Sequence, residues 1–231
     1  MRAAIIGSGP LRPTRPLRDL LRRANLVICA DGGVRIARAL GIVPQVVIGD
    51  FDSAGAALLS WARRKGARLI AHPREKDQTD TELAVEYALN AGAEELDLLG
   101  VLGARIDHTL ANMGLLIHVA GQQKRARIVQ GRVELFLAEA QTPIAGHRGD
   151  LVSLIPLSDS VAGVTTQGLK YPLDDAVLRI SSTLGVSNEI TMAPASVSVH
   201  RGWLLVVVTH RSDRKAETRK REKPGNEKQG K

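Results

Sequence analysis

The sequence predicts an α/β protein: an N-terminal, mostly parallel sheet flanked by helices in a Rossmann-like three-layer arrangement, followed by a C-terminal all-β sandwich domain. Three observations predict it. Up to about residue 130, short β-rich apolar runs alternate with helical patterns, the rhythm of βαβ units. Those runs are apolar at nearly every position rather than at alternate ones, as expected of strands covered by helices on both faces. From about Gly131 helical periodicity vanishes, and short strands broken by Gly, Pro, Asp and Asn take over, which reads as an antiparallel sandwich. The expected division is residues 1–130, 131–210 and a basic tail, 211–231.

Taken in order, RAAII opens the sheet and is followed by Gly7-Ser8-Gly9, a weak phosphate-loop signal on its own. The segment PLRDLLRRA is helical, and LVICA, QVVI and ARLIA supply the next strands. TELAVEYALNAG is a helix whose Thr79 and Glu82 form a T-x-x-E capping box, with Asp80 in the first turn. LDLLG is a strand, a helix runs through Leu116 with Asp107 near its start, and ARIVQ closes the parallel half. The β half then reads VELFLA, DLVSLIPL, AGVTTQGL, AVLRISS, EITMAPASVSVH and WLLVVVTH. No repeat is visible and no long linker marks the join, so the halves are expected to pack together.

Bulk composition narrows the class. A single cysteine among 231 residues, Cys29 between LVI and Ala, excludes an internal disulfide and a cysteine zinc cluster and reads as packing. No run reaches the roughly eighteen apolar residues of a membrane span, and MRAAIIGSGPLRP meets a Gly-rich loop before it can serve as a secretory segment. The expectation is a soluble, cytoplasmic protein without a membrane partner. Of the formal +8, residues 211–231 carry +5, from nine Lys/Arg and four Asp/Glu. That tail has the composition of a solvated, disordered extension, and a nucleic-acid role is expected only through it.

The chemistry collects at strand ends. In an open parallel sheet, ligands bind outside the carboxyl ends of the strands. Behind LVICA stand Asp31-Gly32-Gly33, behind QVVI stands GDFDS with Asp50 and Asp52, and a few residues behind ARLIA stands Glu75-Lys76-Asp77-Gln78-Thr79-Asp80. Behind LDLLG stands Gly103 to His108, with Arg105 and Asp107. Crowded carboxylates raise one another's pKa unless a cation neutralises them. Oxygen ligands without cysteine favour a hard ion, and Mg²⁺ is held by one or two carboxylates while substrate phosphates and water complete its shell. Gly32, Gly33, Gly49 and Gly103 allow close backbone approach to phosphate, and Lys76 and Arg105 supply positive charge.

The ordered set ADGG, PQVVIGDFDS, KDQTDTELA and GVLGARIDHTLANMGLL, followed by GLKYPL and VSNE in the β half, resembles the thiamine pyrophosphokinase family. The resemblance spans the chain up to about Thr209 and implies a homodimer in which ATP donates its terminal pyrophosphoryl group to the hydroxyl of thiamine, releasing AMP. By the same resemblance Asp50, Asp52 and Asp80 surround Mg²⁺. Asp31, Gly32, Ser53, Lys76, Asp77, Gln78 and Thr79 line the ATP cleft, and Arg105, Asp107, His108 and Asn112 match the arginine motif. Ser187 and Asn188 match the pair that holds thiamine, with Tyr171 and Trp203 as aromatic neighbours, although Trp203 also opens an apolar strand and reads as core.

Phosphoryl-group transfer to an alcohol needs charge neutralisation and in-line positioning. The catalytic set implied is Asp50, Asp52, Asp80, Asp77 and Arg105, with Asp80 or Asp77 as proton acceptor. Two other readings keep parts of this picture: a pyrophosphokinase acting on 6-hydroxymethylpterin, and a non-catalytic nucleotide- or RNA-binding protein.

Overall fold

The computed structural model describes residues 1–103 and 105–211, so all of the basic tail beyond Arg211 lies outside the described residues. The six apolar runs of the first half form strands β1 (Arg2–Ile6), β2 (Leu26–Ala30), β3 (Val46–Gly49), β4 (Arg68–Ala71), β5 (Glu95–Leu99) and β6 (Arg125–Gln130). Between them lie helices α1 (Arg15–Arg23), α2 (Val34–Ala39), α3 (Ala56–Arg64), α4 (Asp80–Asn90) and α5 (Ile106–Gly121). All five pairings among β1 to β6 are parallel. Alternation along β1 shows why the runs are unbroken. Ala3 and Ile5 pack with Ala84, Val85 and Leu116 of α4 and α5, whereas Ala4 and Ile6 pack with Leu17, Leu21, Val34 and Ala62 of α1, α2 and α3. Both faces are covered, so neither tolerates a polar stripe.

Helices α2 and α3 carry no periodic signal long enough to stand out in the sequence, and both are fixed by packing. Strand β4 departs from the all-buried pattern: Arg68 and Ala71 are exposed because it is an edge. The chain winds outward from β1 to β4, then returns to place β5 on the other side of β1. At that reversal Gly7 N–H donates to Leu99 O and Gly9 N–H to Gly100 O, each at 2.7 Å. Such a reversal opens a crevice beyond the carboxyl ends of the strands.

The second half forms β7 (Val133–Leu137), β8 (Thr142–Ile144), β9 (Leu151–Pro156), β10 (Ser160–Gln167), β11 (Ala176–Arg179), β12 (Asn188–Glu189), β13 (Ala195–Ser198) and β14 (Leu204–Thr209). After the Gly131-Arg132 turn, β7 pairs antiparallel with β6, and β14, β9 and β12 continue the same sheet. One ten-stranded sheet therefore runs through both halves, in the order β12-β9-β14-β7-β6-β5-β1-β2-β3-β4. A separate four-stranded sheet, β11-β10-β13-β8, shares an apolar core with β9 and β14 through Val152, Leu154, Val206, Val161, Val164 and Val197. The run EITMAPASVSVH, expected as one strand, is split between the sheets. Asn188–Glu189 pairs with β9 and Ala195–Ser198 with β10 and β8, with Pro194, which has no N–H for a ladder, just before β13.

Where β14 leaves the sheet, Asp150 ties the chain down. Its carboxylate accepts from His147 N at 3.0 Å and Arg211 N at 2.9 Å, and lies 2.9 Å from His210 Nδ1. Burial alone would raise this carboxyl, but the bonds from His147, His210 and Arg211 outweigh it and hold the group below the ordinary carboxylate range. Among the described residues, no helix is long and apolar enough to cross a membrane.

Candidate active site

Asp31 follows β2 in a 3₁₀ turn, Asp31–Gly33, with a left-handed backbone (φ 44) that ends the strand. Gly33 is required there by contact alone: a Cβ would run into the Ile6 carbonyl oxygen. Behind β3, Phe51 also adopts positive φ (64), and Asp52 N–H donates to Asp50 Oδ1 at 3.1 Å, so GDFDS folds into a tight turn rather than continuing extended. That turn brings the two acids of the loop beside Asp31. Carboxylate oxygens of Asp31, Asp50 and Asp52 all lie within 4.8 Å of one another. At this separation two like charges cost about 3 kcal/mol at an effective dielectric near 20, an upper bound because Asp52 is exposed to solvent.

The cluster is held by its surroundings. Ser53 Oγ donates to Asp31 Oδ2, and Arg35 Nη2 donates to Ser53 O at 3.1 Å. Asp31 is 5 % exposed, and its Oδ1 is buried with no hydrogen-bond partner among the described residues. An orphaned carboxylate oxygen facing two more carboxylates suits a hard cation, so this donor set fits Mg²⁺. Asp80 stands on the other side of Gly49: a Cβ on that glycine would lie 3.0 Å from Asp31 Cβ and 3.2 Å from Asp80 Cγ. At the head of α4, capped by Thr79 Oγ1 accepting from Glu82 N at 3.2 Å, Asp80 pairs with Lys76 Nζ at 2.9 Å. Burial raises its pKa; Lys76 opposes that, and Asp50 and Asp31 add to it.

The expected site residues thus separate into two groups. Asp31, Asp50, Asp52, Ser53, Lys76 and Asp80 gather at the carboxyl ends of β2 and β3. The three acids whose oxygens all lie within 4.8 Å of one another are Asp31, Asp50 and Asp52, whereas the expected metal set had Asp80 in place of Asp31; Asp80, paired with Lys76, stands beside the trio across Gly49. Gly32 belongs with them, since its Cα faces the hydroxyls of Ser53 and Ser8. The second group makes its contacts outside that cluster. Arg105 pairs with Asp107 at 2.5 Å at the exposed start of α5, and His108 is also exposed. Asn112 is buried and donates to Val101 O at 2.6 Å, which ties α5 to the loop behind β5. Gly103 N–H, expected near phosphate, is taken up by Thr109 Oγ1 at 3.1 Å. Gln78 donates to Glu82 Oε1 at 3.3 Å, completing the capping turn in place of a return bond to Thr79, and Asp77 is exposed. Sequence reasoning missed Arg35 and Arg74, the latter 3.9 Å from Asp52 Oδ2. The available signal was position: Arg35 is four residues behind Asp31, and Arg74 precedes Lys76 by two.

The other expected set lies far along the sheet. Asn188, 4 % exposed, accepts from Tyr171 N at 3.0 Å and Glu189 N at 2.9 Å and donates to Tyr171 O at 2.7 Å. Ser187 N–H donates to Ser153 Oγ at 3.0 Å, and the Tyr171 ring is exposed beneath Lys170 Nζ at 5.4 Å. Trp203 is not with them. It is 38 % exposed, not core, and lies opposite Leu157, while Asn188 lies opposite Val152, about 17 Å away at ~3.4 Å per residue.

A crevice at the winding reversal of an open α/β sheet, floored by clustered carboxylates with a lysine and arginines beside them, defines a protein that handles a cation together with an anionic ligand. Residues 17–130 match the family model for the thiamin pyrophosphokinase catalytic domain, and residues 141–204 that for the thiamin pyrophosphokinase vitamin B1 binding domain. The chain belongs to the thiamin pyrophosphokinase family. It is 28 % identical over 205 residues to thiamine pyrophosphokinase of Bacillus subtilis (strain 168), covering 88 % of this chain and 96 % of that one. It is 26 % identical over 190 residues to thiamin pyrophosphokinase 1 of Caenorhabditis elegans, covering 75 % and 74 %. Among solved structures, the Bacillus subtilis enzyme superposes with a TM-score of 0.83 at 25 % identity, over 92 % of this chain and 100 % of that one. Thiamin pyrophosphokinase from Candida albicans, at 17 % identity and a TM-score of 0.78 over 90 % and 88 %, shares the fold.

Proposed function

We propose that this protein is a thiamine diphosphokinase, transferring the pyrophosphoryl group of ATP to the hydroxyl of thiamine to give thiamine diphosphate and AMP. The observation that carries this reading, beside family membership, is the convergence of Asp31, Asp50 and Asp52 with an unpartnered buried oxygen on Asp31. These three residues would hold Mg²⁺. When bound, the ion neutralises phosphate oxygens and withdraws charge from the leaving group. Arg35 and Ser53 keep the aspartate loop in place, so the carboxylates are organised before substrate arrives. Lys76 is positioned to share itself between Asp80 and a phosphate oxygen. Asp80, raised by burial and by its acidic neighbours, is the better proton acceptor for the thiamine hydroxyl than the exposed Asp77. Arg105 would reach the pyrophosphoryl group only after releasing Asp107.

We further read residues 1–130 as a Rossmann-like nucleotide-binding unit and 131–210 as a β-sandwich that binds thiamine, in a cytoplasmic homodimer. The strand order, with helices on both faces of β1 to β6, supports the first, and the core common to the two sheets supports the second. Sheet arithmetic supports the homodimer: seven strand steps separate β12 from β2, about 34 Å at ~4.8 Å each. Thiamine held at Tyr171, Ser187 and Asn188 cannot meet phosphate at Asp31 of the same chain, whereas a second copy can bridge that distance. Asn188 then acts through Tyr171, whose backbone it grips on both sides.

The test is direct. The protein is incubated with ATP, Mg²⁺ and either thiamine or 6-hydroxymethylpterin, and AMP and the pyrophosphorylated acceptor are quantified. AMP formation with thiamine alone is expected; AMP with the pterin alone transfers the assignment to that acceptor, and AMP with neither sinks the enzymatic reading. Light scattering on the same sample gives the mass, expected at twice 24.8 kDa.

A further inference from the structure

Strands β2, β3 and β4 end beside carboxylates and begin beside arginines. Helices α1, α2 and α3 all run from the carboxyl edge of the sheet back to its amino edge, where Asn25 N–H donates to Arg2 O at 2.9 Å, Gln45 N–H to Val27 O at 3.0 Å and Arg68 N–H to Gln45 O at 2.9 Å. Their last turns carry Arg22 and Arg23, Arg38, and Arg63 and Arg64, while Arg68 opens β4. All six are exposed, and Lys65 adds a seventh positive charge. Segments 22–29, 38–49 and 61–71 contain no Asp or Glu. Among the described residues, no ion pair involves any of the six.

Helix electrostatics account for only part of this. One cation in a last turn is favoured by the macrodipole by about 0.3–1 kcal/mol, which explains one arginine per helix but not the pairs, nor Lys65 and Arg68 beyond the helices. The field is also one-sided: α4 and α5, on the opposite face of the sheet, carry no Lys or Arg, and the cations that follow α5, Lys124 and Arg125, are paired with Glu94 and Glu139. An edge of unpaired guanidinium groups repels itself and attracts a polyanion.

The kind of polyanion follows from the side chains. Six of the seven cations are arginine, whose planar fork matches phosphate oxygens. Val43 and, beside it at the start of β1, Met1 are the large apolar side chains exposed at this edge among the described residues, and neither is aromatic, so the aromatic and leucine anchors of a membrane-surface helix are absent from it. The Arg38 guanidinium lies 5.9 Å from the centre of the half-buried Trp61 ring, a contact that orders the arginine. At 8–10 Å between packed helices, α1 to α3 span about 20 Å. We propose that the amino edge of β2 to β4 binds the phosphodiester backbone of a single-stranded nucleic acid, at a site separate from the acidic crevice.

The experiment uses the full chain and 5′-fluorescein-labelled 20-mers of oligouridylate and oligothymidylate, followed by anisotropy between 50 and 200 mM KCl with saturating ATP and Mg²⁺ present, concentrations chosen from the usual salt range. Binding that weakens with salt and is indifferent to ATP is expected. The exposed triple variant Arg22→Gln/Arg38→Gln/Arg63→Gln should flatten the log K against log salt slope by about 2, at ~0.7 for each phosphate of a single strand that is no longer neutralised. The matching triple lysine variant should keep the slope, and thermal melts should show both variants folded. Tighter binding of oligouridylate assigns RNA, and equal binding assigns the shared backbone. The proposal is overturned by no binding at 50 mM KCl, by displacement with ATP, or by capture on phosphatidylserine vesicles without oligonucleotide binding. It is equally overturned if the triple glutamine variant keeps the wild-type slope while a full-length variant with Arg214, Lys215, Arg219, Lys220 and Arg221 changed to Gln loses it.

Discussion

Asp31 and Asn188 are both buried polar side chains, 5 % and 4 % exposed, at strands seven steps apart in one sheet, and they behave in opposite ways. Asn188 spends both ends of its amide on neighbouring backbone, gripping Tyr171 and Glu189. Asp31 leaves Oδ1 without a partner and faces two further carboxylates. A buried polar group with its hydrogen bonds made is holding architecture; an unpartnered carboxylate oxygen that faces further carboxylates is available to a cation. The same contrast divides the carboxylates. Asp150 is surrounded by donors and held low, whereas the half-buried Asp80 stands near other acids and is pushed high.

The largest effect should come from Asp31→Asn. Turnover is expected to fall at least about a hundredfold, in the range seen when one electrostatic stabiliser is removed. The denaturation midpoint should hold or rise, because a repulsive carboxylate has gone. Near-normal turnover at saturating Mg²⁺ would erase the distinction drawn above. Asp52→Asn should behave alike, with a smaller gain in stability because its carboxylate is solvent-exposed.

Asn188→Ala should show the reverse pattern. Loss of three hydrogen bonds to half-buried backbone is expected to cost about 2 kcal/mol, read as a lower urea midpoint, while kcat at saturating thiamine stays within about twofold. A variant with unchanged stability and abolished turnover would move Asn188 into the chemistry.

A pH series sharpens the carboxylate pair. Asp80 has a folded pKa above its unfolded one, so the native state binds the extra proton, and stability is lost as pH rises from the ordinary aspartate range through the raised value. Asp80→Asn should remove that loss and be the more stable protein above the window. Asp150 has a depressed pKa, so its contribution is present above the ordinary range and is lost as pH falls through the lowered value. Asp150→Asn should therefore be destabilised at neutral pH and lose part of the acid sensitivity. Identical pH profiles for the two variants would contradict the assignment. The smallest effect is expected from Trp203→Ala, under about 1 kcal/mol and without change in the KM for ATP, since this half-exposed ring lies away from both residue sets.

Much of the fold was legible because burial on two faces writes itself into consecutive residues. All six parallel strands fall on apolar runs, and α4 begins at the Thr79 cap that the T-x-x-E spacing announces. Helices α2 and α3 were not legible: α2 has only six residues, and α3, though as long as α1, buries only Ala62 where α1 buries Leu17 and Leu21, so no apolar stripe marks it. The split of EITMAPASVSVH was hidden as well, because both pieces are β-rich and their allegiance to different sheets is a long-range pairing.

The sequence by itself determined that carboxylates would stand behind successive strands, because the positions of strand ends are a local property of the chain. Which of them converge was decided in three dimensions. Left-handed turns at Asp31 and Phe51 bring Asp31 to Asp50 and Asp52, and Asp80, paired with Lys76, stands beside them across Gly49. The separation of Tyr171 and Asn188 from that cluster likewise depends on strand order, which pairs residues far apart in the chain and leaves no trace in spacing. Local residue patterns encode burial and turn chemistry, whereas distance between sites is a sum over hydrogen-bonded neighbours that only the assembled sheet defines.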